Sequence, residues 1–137
     1  MKNDDGSATV EYIGVAVALL VPIAYAIIAF AQLQSASYGV VGASQQAARA
    51  YVNARSDVLG RFAAIRAAAI AGRNHGLIIT SDNVRVTCSV PNCLTPGTAV
   101  TVDVHTSIPM PYAPALGTIP LQSRQVITVD EYRADPV

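Results

Sequence analysis

Twenty consecutive residues, Tyr12 to Ala31, carry no charge. As a helix rising 1.5 Å per residue they are about 30 Å long, the thickness of a bilayer's hydrocarbon core. Such a run dictates the organisation of everything attached to it. A single acid, Glu11, stands at its edge, and Gly6 lies five residues before that. An acid at the centre of a membrane helix costs about 2.5–3.5 kcal/mol and less near the headgroups, so a carboxylate here calls for a partner. Pro22 sits in the middle of the run and cannot donate to the carbonyl of Ala18, which predicts a kink or loosened turn. Neighbouring helices and local adjustments make such a break tolerable in a membrane. Gly14 and Ala18 form a small-x-x-x-small pair that permits close helix approach.

A secretory signal peptide would have an apolar region of about 7–15 residues followed by a small-residue cleavage site. Here the run is longer and continues into helix-forming sequence. A plain single-pass anchor would need neither Gly6 nor Glu11. The segment Gly6-Ser7-Ala8-Thr9-Val10-Glu11-Tyr12 resembles the processing motif of Flp-type prepilins and of the TadE and TadF pseudopilins of tight-adherence pili. The resemblance implies cleavage by a membrane prepilin peptidase between Gly6 and Ser7, which makes Glu11 the fifth residue of the mature chain. Met1–Gly6 would then be a leader. Flp-type major pilins are similar only over about residues 6–40 and lack a sheet domain. The further hundred residues, with the segment Ala47-Ala48-Arg49, are similar to the TadE-like minor pseudopilins.

Beyond Ala31 the sequence stays helical and turns polar at Gln32, Gln34, Ser35 and Ser37. Gly39 and Gly42 lower helix propensity by about 1 kcal/mol each relative to alanine and allow either flexibility or close approach of a neighbour. Tyr51, Val58, Phe62, Ile65 and Ala69 fall on one helical face, which predicts a stripe buried against a C-terminal sheet. Asn53–Asp57 interrupts the pattern: either one long helix bends here or a second begins, capped by Ser56 or Asp57, and runs to about Gly72. Gly76 is suited to a left-handed cap, and His75 reads as a loop residue. After Gly76 the pattern alternates, predicting strands in Leu77–Thr80, Val84–Val90, Val100–His105 and Val126–Tyr132. Asp82-Asn83 marks a turn between the first two, and Pro96-Gly97 lies in the next connection. Ser107–Leu121 holds four prolines, which predicts an extended loop in place of an interior strand, either tucked on the core or used for a partner.

Cys88 and Cys93 have four residues between them. That is neither a four-ligand zinc set nor the two-residue redox spacing. A disulfide closing a six-residue loop is the simplest reading, and free thiols are the alternative. If the bond forms, the C-terminal part lies outside the cytoplasm.

The expectation is therefore an α+β, pilin-like chain: leader 1–6, transmembrane segment 7–31, extracytoplasmic helical region 32–76 and a small antiparallel sheet domain 77–137. The last part has 61 residues, a size marginal alone. Nine basic and nine acidic residues cancel, which leaves no electrostatic footprint for nucleic acid. No nucleophile–base pair, phosphate loop or metal-ligand spacing is present. These features predict a non-enzyme without cofactor or small-molecule substrate. The resemblance implies other pilin and pseudopilin subunits, the prepilin peptidase and the membrane as partners. It also implies a place in the cell membrane, and in the pilus or at the cell surface after assembly. An uncleaved, membrane-anchored extracytoplasmic binding module is the competing expectation.

Overall fold

A computed structural model describes residues 7–133. Gly6 lies outside the described residues. The element order is α1 (Ser7–Val52), α2 (Asp57–Arg73), β1 (Val84–Cys88), β2 (Ala99–Pro109) and β3 (Thr118–Thr128). Short 3₁₀ turns cover Ser81–Asn83 and Pro114–Leu116. The chain divides into two compact units at Leu33/Gln34. The first is an isolated stretch of α1; the second holds the rest of α1, α2 and the sheet.

Two helices form where one or two were open. α1 stops at Val52, and Ser56 opens α2 as an extended N-cap whose side chain accepts from the Leu59 N–H. Asp57, in the first turn of α2, is an acid at the positive end of the helix dipole. Arg133 donates from its guanidinium to the carbonyls of Val52 and Ala54, so the last described residue satisfies acceptors that the end of α1 leaves open. At the far end of α2, Leu77 N–H reaches Gly72 O at 2.9 Å and Gly76 N–H reaches Arg73 O at 3.0 Å. With Gly76 at φ 72° this is a Schellman ending, as its glycine predicts.

The buried stripe of α2 differs from the predicted one. It is Gly60, Ala64, Ala68 and Gly72, while Val58 and Phe62 are 63% and 69% exposed. Small residues face inward because the neighbours come close. A Cβ on Gly60 would stand 2.9 Å from the Tyr51 ring, and one on Gly72 would stand 2.6 Å from Ile79 Cδ1. In α1 the core face is Ala36, Val40, Ala43, Ala47 and Tyr51, with Ser44 and Ala48 beside it, at helical three- and four-residue spacings. Gly39 serves close approach: a Cβ there would lie 2.6 Å from His75 Cβ. Tyr51 against Gly60 at one end, and Gly39 against His75 at the other, set α2 antiparallel to the second part of α1.

The sheet is antiparallel in the order β1-β2-β3. Val84, Val86 and Cys88 pair with Val104, Val102 and Val100. Val100, Val102 and Val104 are fully buried and alternate with wetter Thr101, Asp103 and His105, the period-2 pattern of a sheet with one covered face. Ser44 of α1 meets Ser123 of β3 hydroxyl to hydroxyl at 2.9 Å, a polar pin in the α1–sheet contact. On the outer face Arg85, Asp103 and Arg124 stand in one cross-strand row, with Arg124 Nε 2.6 Å from Asp103 Oδ1.

Three strand expectations are corrected. Leu77–Thr80 is not a strand. Leu77 and Ile79 are buried and Ile78 is 81% exposed, so alternation arises from an extended segment laid on the core without a ladder partner. β1 ends at Cys88, short of Val90, because the chain turns into the Cys88–Cys93 loop. The proline-rich segment is strand at both of its ends: β2 runs to Pro109, and β3 starts at Thr118 and ends at Thr128, before Tyr132. Pro120 pairs opposite Ser107 and is accommodated because β3 is an edge strand, where a missing donor need not break the ladder. Only 110–117 is a loop. Ile108 and Leu121 pack against the core, while Tyr112 and Leu116 at the tip are 67% and 75% exposed.

Cys88 and Cys93 form a disulfide, and Gly97, at φ 76°, turns the same connection toward β2. Closing a six-residue loop stabilises by about 2 kcal/mol in the chain-entropy account. Replacing both cysteines by serine is expected to lower the unfolding free energy of the full chain in detergent by about that amount. The shift in denaturant midpoint between the oxidised protein and the double variant measures it.

Candidate assembly segment

α1 begins at Ser7, so Glu11 and Tyr12 lie within its first two turns. The helix continues unbroken through Pro22 to Val52. None of its most apolar stretch is buried. It is the one helix among the described residues long and apolar enough to cross a membrane. Leu19, Leu20, Ile23, Ile27 and Phe30 are among its exposed side chains. In water each would be costly, because burying such a group is worth about 1.5–3 kcal/mol. A helix apolar all round is made for lipid or for other helices.

Of the sequence-derived site residues, Glu11, Tyr12 and Pro22 lie on this one helix. Glu11 is exposed at its N-terminal end, on the polar side of the uncharged run. A Cβ on Gly14 would meet nothing within 4 Å, so the chain's own fold does not require this glycine. The cleavage pair is only half described: α1 starts at Ser7, and Gly6 is outside the described residues. Cys88 and Cys93 are far along the chain and serve the sheet domain.

A polar cluster that sequence reading missed braces the turn between the helices. The buried Tyr51 donates its hydroxyl to Asp57, and Arg61 Nε donates to the other Asp57 oxygen at 2.9 Å. Arg61 also reaches Val86 O at 3.4 Å, tying α2 to β1. Asp57 and Arg61 at i, i+4 carried a signal for their pair; the Tyr51 contact spans the turn and had none. Tyr51 is pushed well above the ordinary tyrosine value, by burial first and then by its bond to Asp57. The Asp57 carboxyl is held below its ordinary value by the Tyr51 hydroxyl first and by Arg61 next. The signs follow. Asp57 contributes stability above its unfolded value of about 3.9, lost as pH falls through its lower folded value. Tyr51 contributes stability below about pH 10, lost as pH rises toward its raised folded value. Denaturant midpoints against pH are expected to fall at both ends, and Asp57→Asn is expected to flatten the acid limb.

Comparison with known protein families, curated proteins and solved structures returns no match. The architecture stands on its own geometry: a long apolar N-terminal helix contacting a C-terminal three-stranded antiparallel sheet, a pilin-like plan. Among the described residues no group of three or more histidine, cysteine, aspartate or glutamate side chains could hold a metal ion.

Proposed function

We propose that this protein is a TadE-like minor pseudopilin, processed by a prepilin peptidase and built into, or initiating, a tight-adherence pilus. The observation that carries the reading is the exposed, uncharged helix with one acid at its N-terminal edge, continuing as a single helix into a small domain. A helix whose apolar surface is exposed on every side gains by packing with others like it. The leader cut between Gly6 and Ser7 creates an ammonium on Ser7. In an assembled bundle that ammonium pairs with the Glu11 carboxylate of a neighbouring subunit. Each charge lowers the other's cost of leaving water. Tyr12 completes the processing motif, and Pro22 gives the helix a place to loosen as it packs.

In this reading the chain is not an enzyme; chemistry is done to it. Its partners are other pilin and pseudopilin subunits, the peptidase and the membrane, with no nucleic acid or small-molecule substrate. The domain after the membrane segment is extracytoplasmic, a placement supported by the Cys88–Cys93 disulfide. The experiment is to shear surface filaments from cells and probe them for this chain. Recovery in the filament fraction is expected. Retention of the whole population in the membrane would favour the anchored binding module, for which the exposed Tyr112 and Leu116 tip is the natural contact surface.

A further inference from the structure

α2 is inside out for a surface helix. Its inward stripe is glycine and alanine, and its large apolar residues point away from the core. Leu59, Phe62 and Ile70 are 56%, 69% and 51% exposed. Arg66 and Arg73 are exposed with them, and the five fall at spacings of three, four, four and three, one face directly opposite Gly60, Ala64, Ala68 and Gly72. No acid stands on that face, and neither arginine has an ion pair among the described residues. One aromatic ring beside two arginines, without lysine or glutamate, matches the residue preferences of a protein–protein interface core.

The complement is on the same molecule. The turn after β3 exposes Asp130, Glu131 and Tyr132, the last 94% accessible. Among the described residues neither acid is ion-paired. Asp130 accepts the Tyr132 N–H at 2.9 Å, which holds the turn. Arg133 anchors this turn beside Val52 and Ala54, at the Asp57 end of α2, whereas Arg66 lies at the middle of α2 and Arg73 at its other end. Among the described residues no ion pair joins the two surfaces within one chain. We infer that the outer face of α2 in one subunit receives the acidic, aromatic Asp130–Tyr132 turn of a second copy of this chain. The contact joins unlike surfaces, so it can repeat along a row of subunits. It rests on the assembly reading for its occupant, and it adds a second contact between subunits outside the apolar helix.

The test uses full-length chains in detergent micelles, with self-association followed by sedimentation. Arg66→Glu and Glu131→Arg both change exposed side chains, and melting curves check that each variant folds. Each variant alone is expected to associate at least about tenfold more weakly than the natural chain, because like charges then meet. Mixed together they are expected to recover association to within about threefold, since each face then meets an opposite charge. Damage to the fold would not be repaired by mixing, nor would loss of a lipid contact. Natural-strength association by Arg66→Glu, or a loss that mixing does not repair, would overturn the inference. If Glu11→Ala abolishes association while Arg66→Glu leaves it intact, the α2 contact falls and the assembly reading stands. Rescue by mixing in a protein whose native chain still begins at Met1 would support the contact and count against the assembly reading.

Discussion

Tyr51→Ala is expected to lower the stability of the folded domain by about 3–5 kcal/mol, the range for removing a buried aromatic ring. Tyr51 is fully buried at the end of α1, its ring lies against the backbone of Gly60, and its hydroxyl holds Asp57. Its loss leaves a cavity where α1, α2 and their turn meet. Domains of this size have only about 5–15 kcal/mol in total, so one substitution removes a large share. Thermal melting of the full chain in detergent should fall by more than about 10 °C. Tyr51→Phe keeps the ring and loses one hydrogen bond to a carboxylate, so about 1.5–3 kcal/mol is expected. A loss for Tyr51→Ala no larger than that for Tyr51→Phe would mean that the ring is not the centre of the packing.

Glu11→Ala is expected to leave the leader cut in place and to reduce incorporation into sheared filaments by tenfold or more. Replacing the acid removes its own desolvation cost but strands the neighbour's ammonium in an apolar bundle. Breaking one half of a buried pair costs about 3–5 kcal/mol. Glu11→Asp keeps the charge on a shorter arm and should incorporate at an intermediate level. Immunoblots of sheared filaments and membranes, with intact mass for cleavage, read both effects. Normal incorporation of Glu11→Ala would sink the pairing mechanism.

The parts of this fold legible in the sequence are those with a strong local period or a local geometric demand. The uncharged run predicted a membrane-length helix, the valines at 100, 102 and 104 predicted a half-covered strand, Gly76 marked a helix end, and Ser56 and Asp57 were the two candidate caps for a second helix. The buried face of α2 was not legible from bulk, the usual mark of a core stripe. Where two backbones approach closely, small residues are the buried ones, and the large residues that look like core are left outside. Gly60 and Gly72 held that signal, since glycine inside a helix costs about 1 kcal/mol and calls for a reason. The proline-rich segment misled for a related reason: proline excludes an interior strand but not an edge strand, and strand order is a property of the whole sheet. The Tyr51–Asp57 contact and the Arg133 clamp join residues that only the turn geometry brings together.

Intact mass with peptide mapping of the protein purified from its own membrane reads the N terminus of the mature chain directly. A mature chain starting at Ser7, with Glu11 as its fifth residue, is the predicted result. A chain that retains Met1–Gly6, or one that starts beyond Ala31, would contradict it.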